Sequence, residues 1–256
     1  MGKERYAELL KSKDLAARGI STVIFDEIDS TNTEARRIAK TEAKTPVLIV
    51  SDKQSAGRGR MGRSFFSPEG TGIYMSLLLQ VKNSELPAAV SLTSAAAVAV
   101  LRGTDKYTNG RALIKWVNDV LLDEKKVCGI LAESFSEGGR YYVCIGIGIN
   151  TATKDFPQEI SNIAGCINTS ERAEICERVC CELYDLYQQI LAKDTSFMEE
   201  YRLRSAVIGR EITYMQDGEN IEAVACDIDR DGALIVEHED GARARLFSGE
   251  ITLRIK

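Results

Sequence analysis

From Tyr141 to Asn150 bulky apolar residues alternate with smaller ones. Tyr141, Val143, Ile145, Ile147 and Ile149 fall on one side, and Gly146 and Gly148 on the other. Spacing of period two predicts a strand with one face in a core. Glycine weakens a strand, so two on one face imply that something approaches the backbone closely. A flat ligand and a tightly packed helix both meet that requirement. The alternation of Ile73, Met75, Leu77, Leu79 and Val81 predicts another strand. Short apolar runs predict further strands over 22–25, 46–50, 112–116, 120–122 and 126–135.

Helical spacing predicts a short, partly amphipathic helix within 1–20 and a second over 33–43, capped by Ser30 or Thr31. An alanine-rich buried helix is expected over 87–103 with Pro87 at its start. A long one is expected over 172–192 (Ile175, Val179, Leu183, Leu186, Ile190) and a short one over 197–204. Past residue 206 the texture changes. Strand-like runs are separated by Asp217-Gly218, Asp231-Gly232, Asp240-Gly241 and Ser248-Gly249, a hairpin rhythm that predicts a small β-barrel. The expected organisation is α+β, with a first domain over 1–205 and a second over 206–256.

Composition narrows the function. A net charge of −5 over 256 residues makes nucleic acid and acidic membrane poor partners for the chain as a whole. The first residues lack a secretory signal, Tyr6 breaks the myristoylation pattern, and the apolar runs are too short to span a bilayer. Seven scattered cysteines suit a reducing cytosol. Cys176, Cys180 and Cys181 sit in a helical pattern with no histidine nearby, which favours packing over metal binding, and no metal site is predicted. The one histidine, His238, reads as a solvated turn residue. Its solitude excludes a two-histidine zinc motif and a kinase catalytic loop.

The densest chemistry lies in Gly57-Arg58-Gly59-Arg60-Met61-Gly62-Arg63. The stretch fits G-x-G-x-x-G and nearly fits the phosphate-binding P-loop. Both patterns need a helix to follow at once, because its N-terminus carries the phosphate. Here Arg63–Gly72 contains Pro68, Gly70 and Gly72 without helical spacing, so both are rejected. Two readings remain: a solvated basic loop, and a flexible clamp whose guanidiniums order on an anion and which varies without it. Further on, Asn118-Asp119 reads first as a turn between strands, and Lys126 is an odd ammonium at the start of an apolar strand.

Taken together and in order, STNTEA, QSAGRGRMGRSFFSPEGTGIYMSLLL, IKWVNDVLL, KKVCGILAES and IGIGIN resemble the catalytic domain of biotin protein ligases. The C-terminal stretch ending FSGEITLRI resembles that family's small SH3-like domain. The resemblance implies a mixed sheet flanked by helices with an SH3-like barrel after it. It implies a Mg²⁺-dependent, cytoplasmic enzyme with biotin and ATP as substrates, biotinyl-5′-AMP as intermediate and a biotin carboxyl carrier domain as acceptor. It also allows a homodimer. By resemblance the biotin contacts are Ser30, Thr31, Asn32, Gln54, Gly57, Arg58, Gly59, Arg60, Lys126, Gly129, Gly146 and Gly148. Those of the adenylate are Arg58, Arg60, Arg63, Asn118, Lys126 and Asn150. Lys126, Arg60 and Asp119 are the expected catalytic groups, with Asp119 orienting or deprotonating the acceptor lysine.

Adenylation joins two anions, so cations at the junction fit the chemistry, and a carboxylate nucleophile needs no histidine base. Two positions depart from the family pattern: Val117 stands for proline in K-W-P-N-D, and Phe65 for tryptophan after the arginine loop. The segment ahead of residue 20 is too short for the operator-binding domain of some members, so a ligase alone is expected. The alternatives are a lipoate–protein ligase or octanoyltransferase of the same fold, and a non-catalytic adenylate-binding module.

Overall fold

A computed structural model describes residues 2–83, 91–216, 218–247 and 251–253. Pro87, Asp217, Ser248-Gly249 and 254–256 lie outside them. In place of one helix within 1–20 there are α1 (Gly2–Arg5), a 3-10 turn (Ala7–Lys11) and α2 (Lys13–Ala17). Ser12 breaks the run because its Oγ accepts the Leu15 N–H at 3.0 Å and so starts a new helix. Gly19, at φ 69°, follows α2 in the left-handed region.

The main sheet takes β1 (Ser21–Ile28), β2 (Val47–Gln54), β3 (Gly72–Val81), β4 (Leu113–Lys115), β5 (Asp119–Leu122), β6 (Lys125–Glu137) and β7 (Arg140–Asn150) in the order β1-β2-β3-β7-β6-β5-β4. β1 and β2 run parallel because α3 (Thr31–Lys40) crosses between them, and every other neighbour is antiparallel. The remaining helices are α4 (Ser91–Thr108), α5 (Gln158–Ser161), α6 (Arg172–Leu191) and α7 (Phe197–Leu203). The described part of α4 runs beyond Gly103, where the sequence reading ended it. The missing side chain admits α6: a Cβ at 103 would overlap Val179 Cγ2.

Alternation sorts the sheet into two faces. Ile145, Ile147 and Ile149 of β7, with Ile73, Met75 and Leu77 of β3, join the core that α4 and α6 cover. Leu78, Tyr142 and Cys144 join a smaller cluster under α3 with Ala35, Ala39 and Ile49. Ser76, Gly146 and Gly148 lie on that second face, near the start of α3 rather than beneath its apolar stripe.

β8 (Glu211–Gln216), β9 (Glu219–Ile228), β10 (Leu234–Glu237), β11 (Arg243–Leu246) and β12 (Ile251–Leu253) form an antiparallel sheet in the order β11-β10-β9-β8-β12. Among the described residues β11 and β12 are its two ends, so the ladders do not close the barrel that the hairpin rhythm predicts. Ile212, Ala225, Leu234 and Val236 belong to the same apolar cluster as α4 and α6. Trp116 Nε1 donates to Gly232 O at 3.0 Å, and Arg202 to Ile228 O at 3.1 Å. His238 is half-buried beside the Tyr214 hydroxyl at 3.4 Å, not solvated as expected, because β8 passes next to its turn. Among the described residues no helix is long and apolar enough to cross a membrane.

Cys128, Cys144, Cys176, Cys180 and Cys181 are buried, and Cys166 and Cys226 are half-buried. Burial pushes the Cys144 thiol up to about 12 and the Cys181 thiol up to about 11. Thiolate is the reactive form, so near neutral pH a thiol reagent should modify Cys166 and Cys226 in the native protein and the other five only after denaturation. A second test concerns the buried pair of Asp52 and Arg172, 2.6 Å apart, whose Asp52 Oδ2 has no hydrogen-bond partner. Arg172→Met leaves that carboxylate only the half-exposed Arg5 guanidinium, 3.7 Å from Oδ2, and should cost about 3 kcal/mol in a denaturant melt, and adding Asp52→Val should recover most of it.

Candidate functional site

On the second face of the sheet a cavity of about 50 Å³ opens near the start of α3. It gathers Ser30 from the β1–α3 turn, Thr31 and Asn32 from the first turn of α3, Gln54 from the end of β2, and Lys126 and Gly129 from β6. Gly146 and Gly148 come from β7, Asn118 from the β4–β5 turn, and Arg58, Gly59, Arg60 and Phe65 from the arginine loop. Most of the residues named from the sequence are thus brought to one place. Gly57 lies against it: a Cβ there would stand 3.1 Å from Gln54 Nε2 and overlap the Phe65 carbonyl. Arg63 is exposed on the return limb of the loop. Asn150 is turned to other work, donating to Gly165 O at 3.0 Å.

The glycines of β7 are approached by the chain's own side chains. At Gly146 it is Asn32 of the first turn of α3, the packed helix that was one of the two expected occupants. At Gly148 it is Phe65 of the arginine loop, which the sequence reading did not offer. A Cβ at 146 would overlap Asn32 Oδ1, and one at 148 would overlap the Phe65 ring. Gly129 pairs with Gly148 across the ladder, and its Cβ would lie 3.1 Å from the same ring. Phe65 therefore packs against two facing glycines and makes an edge-to-face pair with Tyr74 (ring centroids 6.4 Å apart).

The pocket wall is a hydrogen-bonded chain. Gln54 Oε1 accepts the Thr31 N–H at 2.8 Å, while Gln54 Nε2 donates to Ser67 Oγ at 3.0 Å. Ser76 Oγ lies 2.7 Å from both Thr31 Oγ1 and Asn32 Oδ1. An amide oxygen only accepts, so Ser76 donates to Asn32 and the Asn32 Nδ2 faces the other way, to Leu131 O at 3.3 Å and Glu133 Oε2 at 2.9 Å. The Ser30 hydroxyl does not cap α3; Asp29 accepts the Ser30 N–H instead, at 2.8 Å. The Arg37 guanidinium beside Asp29 holds that carboxyl below the usual carboxylate range. Ser76 and Glu133 were missed in the sequence. Their signal was position alone, on the glycine-bearing face of strands otherwise read for their apolar side.

The arginine loop is a small hairpin. Arg58 bridges Ser64, Gly59 N–H donates to Arg63 O at 2.7 Å and Phe65 N–H to Gly57 O at 2.9 Å. Its tip is a 3-10 turn of Arg60–Gly62, and Arg63 beyond it is extended, so the helix that either nucleotide pattern needs does not follow. Arg58 forks onto Glu133 at 3.2 and 3.3 Å, and Arg60 donates to Asn118 Oδ1 at 3.1 Å. Asn118 is oriented in turn by its donation to Ile130 O at 3.0 Å.

At the mouth, Lys126 Nζ stands 2.7 Å from Asp119 Oδ1. The approach is off the line of a hydrogen bond, so this buried oxygen has a countercharge but no aligned donor. The Trp116–Val117 peptide that leads into the turn is cis. Among the described residues no group of three or more His, Cys, Asp or Glu side chains could hold a metal ion.

Comparison with known proteins gives the same picture. Residues 24–150 match the biotin/lipoate A/B protein ligase family, and residues 207–254 match the biotin protein ligase C-terminal domain. The bifunctional ligase/repressor BirA of Bacillus subtilis is 31% identical over 98% of this chain and 80% of its own. The biotin–[acetyl-CoA-carboxylase] ligase of Paracoccus denitrificans is 40% identical over 48% of this chain and 52% of its own. A biotin protein ligase from Aquifex aeolicus, solved with biotin and ATP, superposes with a TM-score of 0.79 at 26% identity, covering 92% of this chain and 99% of that one.

The glycine contacts yield a direct test. Gly148→Ala should leave the sheet intact and displace Phe65, since a ring on a loop gives way before paired strands do. Trypsin should then cut at Arg58, Arg60 or Arg63 about tenfold faster than in the wild type, at an unchanged melting temperature.

Proposed function

The chain belongs to the biotin/lipoate A/B protein ligase family, and from that membership we infer that it is a biotin protein ligase. The observation that carries biotin over lipoate is the match of 207–254 to a C-terminal unit named for biotin protein ligases. The reaction takes two steps. A carboxylate oxygen of biotin attacks the α-phosphorus of ATP, the bond to the bridging oxygen breaks, and pyrophosphate leaves from biotinyl-5′-AMP. The ε-amine of a lysine on a biotin carboxyl carrier domain then attacks the acyl carbon. AMP departs with the bonding electrons, and the amine gives up its proton.

Each step asks for groups that the pocket holds. The polar wall of buried Thr31 and Asn32 and half-buried Gln54 suits a ureido ring, which offers one acceptor and two donors. Lys126 and Arg60 suit the negative charge carried by the α-phosphoryl oxygens when two anions join, a contribution commonly worth about 3–4 kcal/mol per well-placed donor. Asp119, with a buried oxygen that lacks an aligned donor, suits an incoming ammonium and its proton. The nearest carboxylates, Asp119 and Glu133, face Lys126 and the arginines. That supports Mg²⁺ arriving on the phosphates of ATP rather than waiting in a protein cage. The hairpin over the pocket would shield the mixed anhydride from water.

The test follows the two steps with labelled biotin, MgATP and a carrier domain. Pyrophosphate release and label on the carrier are expected with biotin and not with lipoate, and the absence of both with biotin defeats the reading. Lys126→Ala should slow pyrophosphate release by about 10²–10³. Asp119→Asn should still form the adenylate but transfer it slowly.

A further inference from the structure

We propose that Glu133 is a positioning residue that fastens the arginine hairpin across the pocket, acting through Arg58 on one side and Asn32 on the other. The proposal rests on the ligase reading above and adds a residue to which nothing so far gives a role. Glu133 lies near the middle of β6, its side chain only 15% exposed, and three donors meet on its carboxylate. Oε2 accepts Asn32 Nδ2 at 2.9 Å and Arg58 Nη1 at 3.3 Å. Oε1 accepts Arg58 Nη2 at 3.2 Å and Arg36 Nη2 at 3.3 Å.

The donors come from different parts of the chain. Asn32 and Arg36 stand one turn apart on α3, and Arg58 stands on the first limb of the hairpin. Arg36 is further held over the Phe135 ring at 4.4 Å. Among the attachments of the hairpin are Arg60 at its tip on Asn118, Phe65 at its base on the glycines, and Arg58 on Glu133. The last is a charged pair, and its carboxylate is shared with Asn32 of the pocket wall. With Ser76 on Asn32 Oδ1, the carboxylate and the Leu131 carbonyl hold the Nδ2 end, so the carboxylate helps to keep the Asn32 amide facing one way. Removing the charge at 133 should therefore loosen the hairpin and the wall together, without touching Lys126 or Asp119.

Glu133→Gln keeps the shape and one acceptor while removing the charge. With biotin and MgATP, the variant should form the adenylate at the wild-type single-turnover rate. It should release it about tenfold faster, as for the loss of a hydrogen bond to a charged group, and the KM for biotin should rise while kcat holds. In a double-mutant cycle the effect on adenylate release should largely disappear in the Arg58→Ala background, because that part runs through the one contact, while the part carried by Asn32 remains. Glu133→Asp, which keeps the charge on a shorter arm, serves as second variant and should fall between wild type and Gln. An adenylate lifetime in Glu133→Gln equal to wild type, or effects of Glu133→Gln and Arg58→Ala that simply add, overturns the proposal while leaving the ligase reading intact. A wild-type chain that forms no adenylate overturns both.

Discussion

Between Cys144 and Asn150 the second face of β7 offers only hydrogen atoms at positions 146 and 148, so neighbouring groups meet the sheet backbone directly. The opposite face of the same strand is a row of isoleucines locked under α4 and α6. One strand thus anchors the core and supplies bare backbone to the site. The isoleucines fix the height of the floor, because close-packed cores yield little. Asn32 and Phe65 are then placed by clearance, each filling the space where a Cβ would stand. Gln54, Ser76 and Glu133 follow, since their partners are Thr31, Asn32 and the loop that carries Phe65.

Charge obeys a second constraint. A site that joins two anions needs cations, yet bare guanidiniums and ammoniums repel one another. Each cation here has a partner drawn from a separate element: Arg58 meets Glu133, Lys126 meets Asp119, and Arg60 meets the Asn118 amide. These contacts are partly exposed, so they hold geometry more than they stabilise the fold. A phosphate can compete for the same donors, which lets a loop change partners without passing through an unpaired state.

Much of this was legible in the sequence because it is local. The two-residue period of 141–150 announced a strand with a core side and a bare side, and the missing helix after Gly62 disposed of both nucleotide patterns. What stayed hidden depends on distant partners. Nothing near Glu133 says that Asn32 and Arg58 will reach it, 101 and 75 residues away. The course of α4 past Gly103 depends on Val179 of α6, and the break in the first helix turns on one serine hydroxyl. The identity of what covers Gly148 was open for the same reason, since Phe65 arrives by way of a loop. Family motifs located the pocket, but the residues that support it are recognised only through contacts.

The hydrogen bond from Trp116 to Gly232 has an optical consequence. Trp116 is the one tryptophan of the chain, almost fully buried, two residues before Asn118 and bonded to a carbonyl of the C-terminal sheet. Its indole therefore sits where the turn of Asn118 and the C-terminal sheet meet. The chain carries an intrinsic fluorophore there, and a shift in its emission would report changes at that junction with no label added.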